Sequence, residues 1–106
     1  MNQFNILTIY PDFFESFSKY GLIKKGLDKK IIRINTIDIR LHTKDKHNRV
    51  DFKTYGGGPG MVLQYQPVRD SLKTIKSGKC YFLSPQGERL SQKKLINLSK
   101  EENITL

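Results

Sequence analysis

With 106 residues, 19 Lys and Arg against 10 Asp and Glu, and a formal net charge of +9, the chain has room for one domain with a modest core, and its charge favours polyanionic partners. Its apolar runs are four residues or fewer and its amino terminus has no basic stretch ahead of an apolar one, so membrane spanning, anchoring and secretion are not signalled and a cytoplasmic location is expected. The single cysteine, Cys80, excludes an internal disulfide and, beside Tyr81-Phe82-Leu83, is expected at a buried strand position.

Phe4 to Tyr10 is a β-branched and aromatic run stopped by Pro11-Asp12, which predicts a first strand. Phe13, Phe14, Phe17 and Tyr20 then recur at helical spacing, with Asp12 placed to cap and Gly21 placed to terminate. Leu22 to Lys30 reads as a short second helical stretch ending in a basic cluster. Ile31 to Ile39 is the next strand, interrupted by Arg33, Asn35 and Asp38.

Arg40 to Gly60 has no sustained periodicity, and a segment that long without structure in so small a domain points to function. Helical order resumes at Gln66, where Val68, Leu72 and Ile75 share a face, Pro67 suits a first turn and Gly78 closes the element. Lys79 to Leu83 is a third strand, Ser84 to Gly87 a turn, and Ser91 the cap of a helix carrying Leu95 and Leu98. Asn103 to Leu106 looks like the opening of a fourth strand. Strands alternating with helices imply an α/β fold, a parallel sheet with flanking helices, whose ligand site lies beyond the carboxyl ends of the strands.

Tyr55-Gly56-Gly57-Gly58-Pro59-Gly60-Met61 carries the most information. Four glycines and a proline exclude a helix or strand interior and make a loop whose main chain can approach a planar or anionic partner. A phosphate-binding loop would need Lys and Ser or Thr after Gly60, where Met61-Val62 stand, and the dinucleotide spacing is not met either. Upstream, Arg40 to Asp51 mixes basic groups and His42 and His47 with the carboxylates Asp45 and Asp51. That mixture suits directional contacts to a nucleic acid as well as plain charge attraction; its bland counterpart is a solvated loop. The two histidines match no compact zinc spacing, so no metal site is expected. Ser84 lacks a nucleophile elbow, which excludes that route to a hydrolase. Leu83-Ser84-Pro85-Gln86-Gly87 ends a strand, and a ligand seated there would meet main-chain groups suited to an adenine edge; read alone, it is a turn.

Taken together, the glycine run, the preceding His47-Asn48-Arg49-Val50-Asp51 and the strand ending Leu83 to Gly87 resemble the bacterial tRNA (guanine-N1)-methyltransferases over the whole length of the chain. Ile9-Tyr10-Pro11-Asp12-Phe13-Phe14 also resembles that family's opening, with Tyr10 and Asp12 standing where Phe and Glu are usual. The resemblance implies a homodimeric SPOUT-class enzyme with a trefoil knot, transferring a methyl group from S-adenosylmethionine to N1 of guanosine 37 beside the tRNA anticodon. It implies that Leu83, Ser84, Pro85, Gln86 and Gly87 wall the cofactor pocket. Tyr55, Gly56, Gly57, Gly58, Pro59, Gly60 and Met61 would approach the target guanine, and Asp45, His47, Arg49 and Asp51 would grip the anticodon stem-loop.

On that resemblance the family's catalytic Asp and its Arg partner would fall beyond Leu106, as would the knot-closing segment and the tRNA-binding carboxyl-terminal domain. The expectation is therefore a truncated domain over residues 1–106 with an incomplete knot, inactive alone. The alternative is a small basic RNA-binding module without catalysis.

Overall fold

Parallel pairing organises the chain. In the computed structural model, which describes residues 1–106, β1 (Asn2–Thr8) pairs along its whole length with β2 (Ile32–Asp38), from Asn2 opposite Ile32 to Thr8 opposite Asp38. Its other edge pairs with β6 (Asn103–Thr105), which in turn pairs with β5 (Lys79–Cys80), giving a four-stranded sheet of order β2-β1-β6-β5 with every pair parallel. The expected fourth strand is thus an inner one, inserted beside the first. Leu106 N–H donates to the Asn5 carbonyl and Leu7 N–H to the Leu106 carbonyl, both at 2.8 Å, extending that ladder past β6.

The α/β class is as expected, with several boundaries moved. Helix α1 (Pro11–Phe17) has Tyr10, not Asp12, at its N-cap position, with no side-chain cap; Pro11 takes the first position, where its missing N–H is no loss, and Asp12 lies in the first turn. Gly21 does not end that helix. It opens α2 (Gly21–Asp28) at φ +65°, making the joint between two short helices. Cys80 is exposed, contrary to the sequence expectation, because β5 is only two residues long and forms the edge of the sheet.

The segment after β2 is also more ordered than its irregular sequence suggests. A 3₁₀ turn at Ile39–His42 is capped by the Asp38 carboxylate, which accepts from Arg40 N–H at 2.9 Å. Two three-residue strands follow, β3 (Asp51–Lys53) and β4 (Met61–Leu63), paired antiparallel with Phe52 opposite Val62. Such strands are too short to show alternation. Helix α3 (Tyr65–Leu72) then packs on the 3₁₀ turn and on β1, and its Pro67 and Ser71 are buried. Helix α4 (Gln92–Leu98) starts at Ser91, whose hydroxyl accepts from Lys94 N–H as expected.

Ile37 on β2, Ile39 in the 3₁₀ turn, Val50 at the root of the hairpin and Ile104 on β6 are the buried hydrophobic residues. Asn5 is buried among them and satisfied, its amide oxygen accepting from Gln3 and Asn35 side chains at 3.1 and 3.2 Å. Helix α1 leaves Phe13 and Phe17 exposed, and Tyr20 beyond it is exposed too. No helix is long and apolar enough to cross a membrane.

Candidate functional site

The glycine run is the tip of the β3–β4 hairpin. Val50, fully buried, holds the root, and its carbonyl accepts from Gln64 N–H at 2.6 Å. Between the strands the chain turns through a 3₁₀ step at Tyr55–Gly57, with Gly56 and Gly57 at φ +80° and +76° and Gly60 at +84°. No atom lies within 4 Å of a Cβ built at any of the three, so conformation rather than crowding demands glycine here. Thr54 closes the tip internally: its hydroxyl donates to the Gly58 carbonyl at 2.6 Å, and its own carbonyl accepts from Gly57 N–H at 3.3 Å. Tyr55 packs edge-on against Phe52, ring centroids 5.6 Å apart, yet is 87% exposed. Pro59, Gly58 and Met61 are exposed beside it, giving an open surface of main chain and one aromatic ring.

One carboxylate organises the preceding loop. Asp45 Oδ2 accepts from His47 N–H at 2.8 Å and from Arg49 N–H and Nε at 3.1 Å each, and Oδ1 accepts from Arg49 Nη2 at 3.1 Å. The Arg49 side chain, followed by main-chain donors, holds the Asp45 carboxyl down at about 2, and the same contact raises Arg49. Thr43 completes the loop, its hydroxyl donating to the Arg49 carbonyl at 2.8 Å and accepting from Asp45 N–H at 3.2 Å. His47 is exposed, while Asp51 is half-buried at the start of β3.

Leu83 to Gly87 follows β5. Gly87 N–H donates to the Ser84 carbonyl at 3.0 Å and Gln86 N–H to the Ser84 hydroxyl at 3.2 Å, making the expected turn; a Cβ on Gly87 would lie 3.2 Å from that carbonyl. Phe82 and Leu83 ahead of it are exposed and their main-chain N–H groups have no protein acceptor. The strand is anchored from below, where Glu101 accepts from Lys79 Nζ at 2.9 Å and from the Tyr81 hydroxyl at 3.1 Å. These two donors, Lys79 first, lower the Glu101 carboxyl.

Because β2 and β5 run parallel, the hairpin segment and the Ser84 turn leave the sheet from one edge. They depart from its two outermost strands, three spacings or roughly 14 Å apart. The carboxyl ends of β1 and β6 lie between them. Hydrogen bonds within each loop are local, and none joins one loop to the other.

Two contributors escaped the sequence reading. Gln66 Nε2 donates to the His42 carbonyl at 2.6 Å and to Asp70 at 2.5 Å, tying α3 to the loop that leads into the hairpin. Arg40 Nε reaches the Ile9 carbonyl at 3.4 Å, with its guanidinium 6.0 Å from the Tyr10 ring centroid, so it links the carboxyl ends of β1 and β2. Neither carried a signal: a glutamine on a helix face is ordinary, and the partners of Arg40 lie about thirty residues away in the chain.

The sequence model of the family described as tRNA (Guanine-1)-methyltransferase TrmD matches residues 2–106. The chain belongs to this family. Among curated relatives, the tRNA (guanine-N(1)-)-methyltransferase of Clostridium tetani is 48% identical over 105 residues, covering 96% of this chain and 44% of the relative. That of Finegoldia magna is 42% identical over 106 residues, covering 98% and 46%. The crystal structure of tRNA (m1G37) methyltransferase from Aquifex aeolicus superposes with a TM-score of 0.85 at 32% identity, covering 98% of this chain and 49% of that one. The chain therefore spans about half the length of the methyltransferases it matches.

Proposed function

We propose that residues 1–106 supply the amino-terminal half-site of a tRNA (guanine-N1)-methyltransferase that moves a methyl group from S-adenosylmethionine to N1 of guanosine 37. The observation that carries this reading is the departure of the glycine hairpin and the Ser84 turn from one edge of a parallel sheet, flanking the end of β6. A methyl donor and a target base must meet in line, and a cleft at the carboxyl edge of the strands is where such a fold gathers ligands.

Leu83, Ser84, Pro85, Gln86 and Gly87 fit a purine-bearing cofactor. The unengaged main-chain N–H of Leu83 offers a donor, the Leu83 and Phe82 side chains offer apolar cover, and Gly87 keeps the turn tight. Bound there, S-adenosylmethionine would supply an electrophilic methyl group. Tyr55 to Met61 would face the guanine, with Tyr55 free to stack on a base and the glycine backbone allowing close approach. His47 and Arg49 would meet the anticodon stem-loop, where positive charge is favoured, with Asp45 and Asp51 beside them in the same segment. On this reading the acceptor of the N1 proton would come from outside these residues, from the part of the SPOUT domain that would close the knot. A radius of gyration of 15.8 Å, against about 13 Å for a compact chain of this size, and a core of few buried residues suit a domain that packs against more protein. The working enzyme is proposed to be a cytoplasmic homodimer.

The experiment is methyl transfer by a chimera of residues 1–106 with the carboxyl-terminal remainder of the Clostridium tetani relative. Labelled methyl groups should pass from S-adenosylmethionine to tRNA carrying guanosine 37. Tight tRNA binding by a folded chimera, without transfer, would favour the non-catalytic RNA-binding module instead.

A further inference from the structure

Base recognition requires free hydrogen-bonding groups, and the loop between Thr43 and Arg49 has its one carboxylate turned inward. Both oxygens of Asp45 are engaged, one of them three times, by groups of the same loop. A carboxylate so occupied has little capacity left for the amino groups that distinguish bases. Its effect on Arg49 is the opposite. Nε and Nη2 are fixed against Asp45 in a two-point contact, the side chain remains 66% exposed, and the other N–H groups of the guanidinium have no protein acceptor. Lys44, Lys46 and His47 are exposed around it, and neither lysine is in an ion pair. The loop therefore offers fixed and flexible donors with no free carboxylate among them.

We infer that Asp45 is a positioning residue, which presents Arg49, together with Lys44 and Lys46, to the phosphodiester backbone of RNA. The loop grips phosphates and leaves the choice of base to other elements. The inference rests on the tRNA reading above and gives that site a division of labour.

The sign of one substitution separates positioning from simple charge. Asp45→Asn raises the net positive charge by one, so a purely electrostatic loop would bind RNA more tightly after the change. A positioning role predicts the reverse. With the chimera of residues 1–106 and the Clostridium tetani remainder, and an anticodon stem-loop RNA as probe, Asp45→Asn should weaken binding about 10-fold. Arg49→Lys, which keeps the charge and loses the two-point contact, should weaken it by a similar factor, and the double variant should lose no more than the worse single one. Arg49→Ala should lower the slope of log affinity against log salt by about one, equally for stem-loops of different loop sequence. Unchanged or tighter binding by Asp45→Asn overturns the inference, as does a changed preference among loop sequences. If Asp45→Asn fails to fold by circular dichroism, Arg49→Lys carries the test, and wild-type affinity in that variant overturns it. A folded wild-type chimera that binds no stem-loop RNA defeats the tRNA reading itself, a result distinct from any difference between variants.

Discussion

A Cβ on Gly78 would stand 2.6 Å from the carbonyl oxygen of Asn103 and 2.7 Å from its Cβ. Gly78 has φ +103° and immediately precedes β5, whose Lys79 lies opposite Ile104, so the absence of a side chain lets β5 dock on β6. Ala at this position would combine backbone strain with overlap against main chain that cannot move aside. Gly78→Ala should destabilise the fold by about 3 kcal/mol. Chemical denaturation of the two proteins checks this, and exchange of the β5 and β6 amides should accelerate most.

The Asp45 carboxyl gives the loop a defined response to acid. Its folded value of about 2 lies below the ordinary 3.8, so the stabilisation it provides is fully present above about pH 4 and is lost as pH falls through about 2. A carboxyl-detected NMR titration should place the Asp45 midpoint near 2 in the wild type and move it toward the ordinary value in Arg49→Ala. A wild-type midpoint near 3.8 would mean that the contact with Arg49 is not maintained in solution.

Gln66 ties α3 to the loop before the hairpin through the His42 carbonyl. Gln66→Leu keeps much of the volume and removes both hydrogen bonds, leaving that carbonyl without its donor. The expected loss is about 1 to 2 kcal/mol. Hydrogen exchange should rise in residues 43–64 while β1 and β2 remain protected, because their ladder does not involve Gln66.

The sequence revealed repeating elements better than it revealed joints. Apolar runs and a Ser91 cap were enough to place β1, β2, α4 and β6 within a few residues, and alternating strands and helices gave the parallel sheet. The β3–β4 hairpin was missed because three-residue strands carry no period, and its glycines masked its identity as a turn between strands. Gly21 looked like a stop signal but is a left-handed joint; glycine satisfies both roles and composition cannot choose between them. Cys80 looked buried from its apolar neighbours, while its exposure depends on the strand being at an edge, a property of pairing partners far along the chain. The candidate site divides in the same way. Its two loops were legible as unusual local sequences, whereas their common departure from one sheet edge and the inward-turned Asp45 required the fold.

The central claim is that these residues form half of a guanine-N1 methylation site, and the direct measurement is where the chimera with the Clostridium tetani remainder places a methyl group on tRNA. Methylation at N1 blocks the pairing edge of guanine, so primer extension stops beside each modified base. A stop is expected at guanosine 37 that depends on S-adenosylmethionine and is absent from tRNA with another base there. Unmodified guanosine 37 after incubation with a folded, dimeric chimera, under conditions in which the Clostridium tetani enzyme gives a complete stop, would contradict it.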